Sequence, residues 1–128
     1  MKTHVGLWID HQKAVVVLPS ETGEEIKEIL SHANIREPHQ DLAEDAKDRK
    51  FGQQLNTYYD EVIACIHDAG SLLVMGPGEA KGEFTTRLAH EKGADRTVKM
   101  ETADKMTNRQ IAARVREYFK KESPVILL

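Results

Sequence analysis

Cysteine is almost missing from these 128 residues: Cys65 stands alone. A lone thiol excludes an internal disulfide and any zinc site built on cysteine pairs. Aromatic residues make up only 5% of the chain, with Trp8 its single tryptophan. So few rings interleaved with the bases argue against a platform that stacks single-stranded bases. Long apolar runs are also missing. Runs such as Ala14 to Leu18 and Val125 to Leu128 are far too short to cross a bilayer, so no membrane partner is expected. The opening from Met1 to Asp10 carries neither a signal-peptide apolar stretch nor a small-residue cleavage site, which leads to the expectation of a cytoplasmic protein. No phosphate P-loop, dinucleotide fingerprint or nucleophile elbow is written in the chain. The six histidines never recur at the three- or four-residue spacing of a helix-borne metal pair, so neither a metal nor a cofactor is expected.

What is present is a folding composition with uneven charge. Apolar residues are 40% and charged residues 30% of the chain, which fits one globular domain spanning residues 1–128. The formal net charge is −3, but its halves differ. Ser20 to Asp48 holds nine acids and three bases, whereas Lys105 to Lys121 holds six bases and one acid. The mild total therefore hides a polarised chain.

Hydrophobic periodicity supplies the elements. In His4 to Asp10, Val5, Leu7 and Ile9 share one face while Gly6 and Trp8 share the other, as in a strand covered on both sides. Lys13 to Pro19 is rich in β-branched residues, and Asp10-His11-Gln12 between the two is turn-sized, so a hairpin is expected. A third strand around Ile26, Ile29 and Leu30 follows. A long loop over about 31–48 then shows no period. Phe51, Leu55, Tyr58, Tyr59, Val62, Ile63 and Ile66 make the strongest amphipathic stripe, with Gly70 as its stop. Ser71 to Met75 reads as a buried strand, and Gly76-Pro77-Gly78 turns into a helix with Ala80, Phe84 and Leu88 on one face and Gly93 as its end signal. Thr97 to Met100 is a strand. Thr107-Asn108-Arg109-Gln110 is a capping box opening a last helix whose apolar face is Ile111, Val115, Tyr118 and Phe119. Three strands, then αβαβα, give an α/β domain with a mixed five-stranded sheet and helices on both faces, the order of ribonuclease H-like folds.

Two features can meet nucleic acid. Gly76, Gly78 and Lys81 stand where a strand turns into a helix, so free backbone N–H groups and the positive helix end could hold a phosphate. The plainer reading is a tight turn needing glycine for its dihedrals and proline to start the helix. Arg109, Arg116 and Lys120, spaced by seven and four, form a basic row suited to phosphates, or else an ordinary solvated helix face. A two-metal nuclease is the competing reading: Asp10 ends the first strand, where such folds place a carboxylate. The end of the fourth strand offers no acid before Glu79, and Asp10 could equally cap the hairpin turn.

The segment Val5-Gly6-Leu7-Trp8-Ile9-Asp10-His11-Gln12-Lys13-Ala14-Val15-Val16-Val17 resembles the opening hairpin of the middle domain of archaeal and eukaryotic peptide-chain release factors and their Pelota relatives. Leu72-Leu73-Val74-Met75-Gly76-Pro77-Gly78-Glu79-Ala80-Lys81-Gly82-Glu83-Phe84 resembles the strand-turn-helix of that same domain. Small bacterial proteins described as translational machinery proteins are similar in kind, and the resemblance runs from about His4 to Lys120. In release factors the loop before the first helix carries a Gly-Gly-Gln tripeptide that promotes release of the peptide. The corresponding loop of this chain lacks it, and Phe51-Gly52-Gln53-Gln54 belongs to the helical stripe. The resemblance therefore implies a non-catalytic module binding the ribosome or structured RNA such as tRNA, with His32, Arg36 and His39 in the long loop as a probe. A metal-dependent nuclease using Asp10 and a protein-interaction module without RNA contact are the alternatives. The apolar tail 124–128 could cover the domain's own surface or join a second copy's edge strand, giving a homo-oligomer.

Overall fold

The computed structural model describes residues 3–20, 23–32, 44–91 and 96–122. Among these residues five strands and three helices follow in the order β1 (Thr3–Ile9), β2 (Lys13–Ser20), β3 (Gly23–Leu30), α1 (Glu44–Cys65), β4 (Ala69–Gly76), α2 (Ala80–Ala89), β5 (Thr97–Thr102) and α3 (Asn108–Glu122). The strands form one sheet ordered β3-β2-β1-β4-β5. β1 pairs antiparallel with β2 and parallel with β4, and β5 extends the parallel half. The expected mixed five-stranded sheet is what the chain builds.

Period-2 alternation sorts the side chains to two faces. Val5, Leu7 and Ile9 of β1 join Ala14, Val16, Leu72 and Val74 under α1 and α2. Trp8 joins Val15, Val17, Leu73 and Met75 under Ile111, Ala112 and Val115 of α3. The α1 stripe read from the sequence is the buried one, with Tyr58, Val62 and Ile66 at 1%, 0% and 1% exposure. The α3 capping box is closed in both directions. The Gln110 N–H donates to Thr107 Oγ1 at 3.1 Å, and the Thr107 N–H donates to Gln110 Oε1 at 2.9 Å.

Several boundaries differ from the sequence reading. α1 begins at Glu44, inside the span read as loop, because its first two turns carry acids and lysines and so show no apolar period; early acids suit the positive helix end. α1 ends at Cys65, not at Gly70. A turn over residues 66–68 follows, in which the Ala69 N–H donates to the Ile66 carbonyl at 3.0 Å, and Gly70 lies buried inside β4. Gly93, Arg36, His39 and the tail 124–128 lie outside the described residues.

Two glycines fix how the layers approach. A Cβ at Gly6 would stand 2.2 Å from a Val115 methyl, so the bare backbone of β1 is what seats α3. A Cβ at Gly76 would stand 2.2 Å from the carbonyl oxygen of Ile9. That clash is with backbone of the central strand, which cannot swing aside. Gly78 faces open space within 4 Å and carries no left-handed backbone angle. Gly76 is thus required by close approach, not by its dihedrals, and Gly78 by neither. We expect Gly76→Ala to cost about 3 kcal/mol by overpacking while Gly78→Ala stays within about 0.5 kcal/mol, as read by urea unfolding.

Candidate functional site

The carboxyl ends of β1 and β4 lie side by side, and the chain leaves them in opposite directions, from β1 into β2 and from β4 into α2. Ligands of open α/β sheets favour such a switch point. Asp10, His11 and the Gly76-to-Lys81 turn all belong to this end of the sheet.

Asp10 works as a turn cap. Its Oδ1 accepts the Gln12 and Lys13 N–H groups, each at 2.8 Å, and its own N–H donates to the Lys13 carbonyl at 3.0 Å. Among the described residues no three His, Cys, Asp or Glu side chains gather as metal ligands would. The Asp10 carbonyl accepts the Tyr58 hydroxyl at 2.9 Å, which ties α1 to the hairpin.

Beside that turn lies a cluster the sequence reading overlooked. Glu83, in the first turn of α2, accepts the Tyr59 hydroxyl at 2.7 Å, and His11 Nε2 lies 2.9 Å from the same Oε1. Three elements thus meet on one carboxylate oxygen. The signal was hidden because Tyr58 and Tyr59 count as apolar in a periodic stripe, while their hydroxyls are what join the layers. Burial is the largest cause pushing both phenols above their ordinary range. Asp10 adds to it for Tyr58, and the Glu83 hydrogen bond adds to it for Tyr59.

The phosphate-cradle reading of the β4–α2 turn meets a competitor within the chain. Lys81 Nζ donates to the Gly78 carbonyl at 2.6 Å, folding back over the turn. Glu79 occupies the N-cap of α2 and makes no side-chain cap bond. Along the same helix, Arg87 grips Asp60 of α1 through Nε and a terminal nitrogen, at 2.6 Å and 2.9 Å. This hydrogen bond holds the Asp60 carboxyl below the usual carboxylate range. Both groups are largely exposed, so the pair adds little stability.

The basic row of α3 divides. Arg116 is bonded to Glu24 of β3, and Asn108 donates to Glu28 at 3.2 Å. Arg114, outside the predicted row, binds both oxygens of Glu101 at 2.8 Å and 2.5 Å. Arg109 and Lys120 are exposed and make no ion pair among the described residues. α3 lies on the face opposite α1 and α2, so the basic row and Lys81 sit on different faces. His32 is exposed, with a left-handed φ of 53°, two residues past the end of β3.

These features define a single α/β domain whose polar groups collect at the carboxyl end of a mixed sheet and along the outer side of α3. That fold is shared with part of Pelota. Over 93% of its length the chain superposes on Thermoplasma acidophilum Pelota with a TM-score of 0.54 and 16% identity. It also superposes on Pelota in a model of ribosome-bound archaeal Pelota and ABCE1, with a TM-score of 0.51, 21% identity and the same coverage. It spans 33% and 35% of those two chains. No family model matches the sequence, and no curated protein matches it.

The buried phenols set an alkaline limit on stability. Tyrosine ionises near 10.0 when unfolded and higher in this fold. Their contribution is therefore complete below pH 10.0 and is lost as pH rises above it. Unfolding free energy is expected to fall by up to about 1.4 kcal/mol per pH unit for each tyrosine. Urea titrations between neutral and strongly alkaline pH check this, and Tyr59→Phe is expected to flatten the decline by roughly half.

Proposed function

We propose that this domain is a non-catalytic, translation-associated module that binds the ribosome or a structured RNA. The observation that carries this reading is the fold shared with Pelota, one of whose superposing structures is in a ribosome-bound assembly. Fold alone does not fix function, so the chain's own surface has to support it. Arg109 and Lys120 supply that support as exposed cations on one helix, able to neutralise phosphates without reading sequence. Arg116 stands between them in sequence but is already engaged by Glu24, and contributes less. On this reading the strand order is ribonuclease H-like in topology only. Asp10 spends its carboxylate oxygen on two backbone N–H groups, a structural task unlike that of a nuclease ligand. No helix among the described residues is long and apolar enough to cross a membrane.

Co-sedimentation with ribosomes over a salt series tests the proposal. Association should weaken steeply with salt, and the double variant R109E/K120E should reduce the log–log salt slope by about two. Failure to associate at low salt, or an association indifferent to salt, counts against it. Cleavage of RNA with Mg²⁺ or Mn²⁺ that disappears in Asp10→Asn would favour the nuclease reading instead.

A further inference from the structure

β5 is an edge strand, and its outer side has the makings of a self-complementary interface. The Ala103 N–H donates to the Gly76 carbonyl at 2.9 Å. Strand alternation then points the amides of Lys99 and Glu101 toward β4 and those of Val98, Met100 and Thr102 outward. Those outward groups are a row of donors and acceptors at the sheet's edge. The register with β4 places Val98 and Met100 on the α2 face, opposite Leu72 and Val74, and Lys99 and Glu101 on the α3 face. Val98 and Met100 are 40% and 48% exposed.

We propose that two copies of this chain dimerise by antiparallel pairing of β5 with β5 about a two-fold axis at Met100. Such an axis keeps like faces together and pairs each residue with one of the same face. Centred on Met100, the pairing sets Lys99 opposite Glu101 of the second copy, twice, in the closely spaced non-hydrogen-bonded positions. Met100 meets its own counterpart, and Val98 meets Thr102 of the second copy, each pair exchanging both backbone bonds. Centring on Lys99 instead would set lysine against lysine. Of the registers centred on Lys99, Met100 and Glu101, only the one at Met100 sets no charge against itself, and it alone of the three sets Lys99 opposite Glu101.

The other edge carries more charge. β3 carries Glu24, Glu25, Lys27 and Glu28. A pairing centred on Ile26 would set Glu24 against Glu28 of the second copy, and one centred on Glu25, Lys27 or Glu28 would set a charge against itself. Like charges directly opposite destabilise a ladder. A pairing of β3 centred on Ile26 would thus carry a like-charge pair that the Met100-centred pairing of β5 lacks.

Sedimentation velocity of the full chain over a wide concentration range tests the interface, with circular dichroism confirming that each variant folds. The wild type is expected to show a reversible monomer–dimer equilibrium. M100K, K99E and E101K should each weaken dimerisation about tenfold or more. An equimolar mixture of K99E with E101K should recover it, because the acid introduced in one variant then faces the lysine introduced in the other. K99E disturbs no ion pair among the described residues, so its loss of association reports the interface and not the fold. A chain that stays monomeric throughout overturns the proposal. So does a dimer unaffected by M100K and K99E, or a mixture no more associated than its components. A dimer lost on deleting 124–128 but kept in M100K overturns it in favour of the C-terminal segment.

Discussion

Everything in this domain is arranged around a central strand that has to be close to its neighbours on four sides. β1 pairs with β2 along one edge and β4 along the other, while α1 and α2 cover one of its faces and α3 the other. Leu7, Trp8 and Ile9 are consequently 0%, 1% and 0% exposed. Two missing side chains make that closeness possible. Gly6 lets Val115 rest on the strand's backbone, and Gly76 lets the end of β4 come against the Ile9 carbonyl. Interiors packed this tightly do not yield by small amounts, so the position of the β4–α2 turn follows from the packing of the strand beside it.

The same constraint explains which polar groups meet. Once β1 and β4 end side by side, the hairpin turn, the start of α2 and the middle of α1 converge. Asp10 then caps its turn, Tyr58 binds the Asp10 carbonyl, and Glu83 takes both the Tyr59 hydroxyl and His11. The cluster joins elements, while Arg109 and Lys120 stay exposed on α3. The polarisation along the chain is partly neutralised in space, because Arg116 of the basic helix pairs with Glu24 of the acidic strand. A net charge of −3 therefore says little about either surface.

Much of the fold was legible as periodicity. The two faces of β1, the buried stripe of α1 and the Thr107 capping box could be read directly, because each is a local pattern in which neighbours in sequence are neighbours in space. What escaped was either non-apolar or non-local. The first turns of α1 hold one apolar residue, Ala46, too few to show a period, and Gly70 serves a strand where a lone glycine after a helical stripe suggested a stop. Gly76 is required by its approach to the first strand, far earlier in the chain, and not by the turn it opens. Of the candidate site, the turn and the basic helix were visible. The meeting of His11, Tyr59 and Glu83 was not, since it depends on how three elements dock.

The central functional claim is that RNA is met by the exposed side of α3. Photo-crosslinking of RNA to protein in living cells, with the crosslinked peptides then identified, tests it most directly. Crosslinks are expected to concentrate on the α3 peptides that carry Arg109 and Lys120. Recovery of the chain with no crosslinked RNA, or with crosslinks confined to β3, would contradict it.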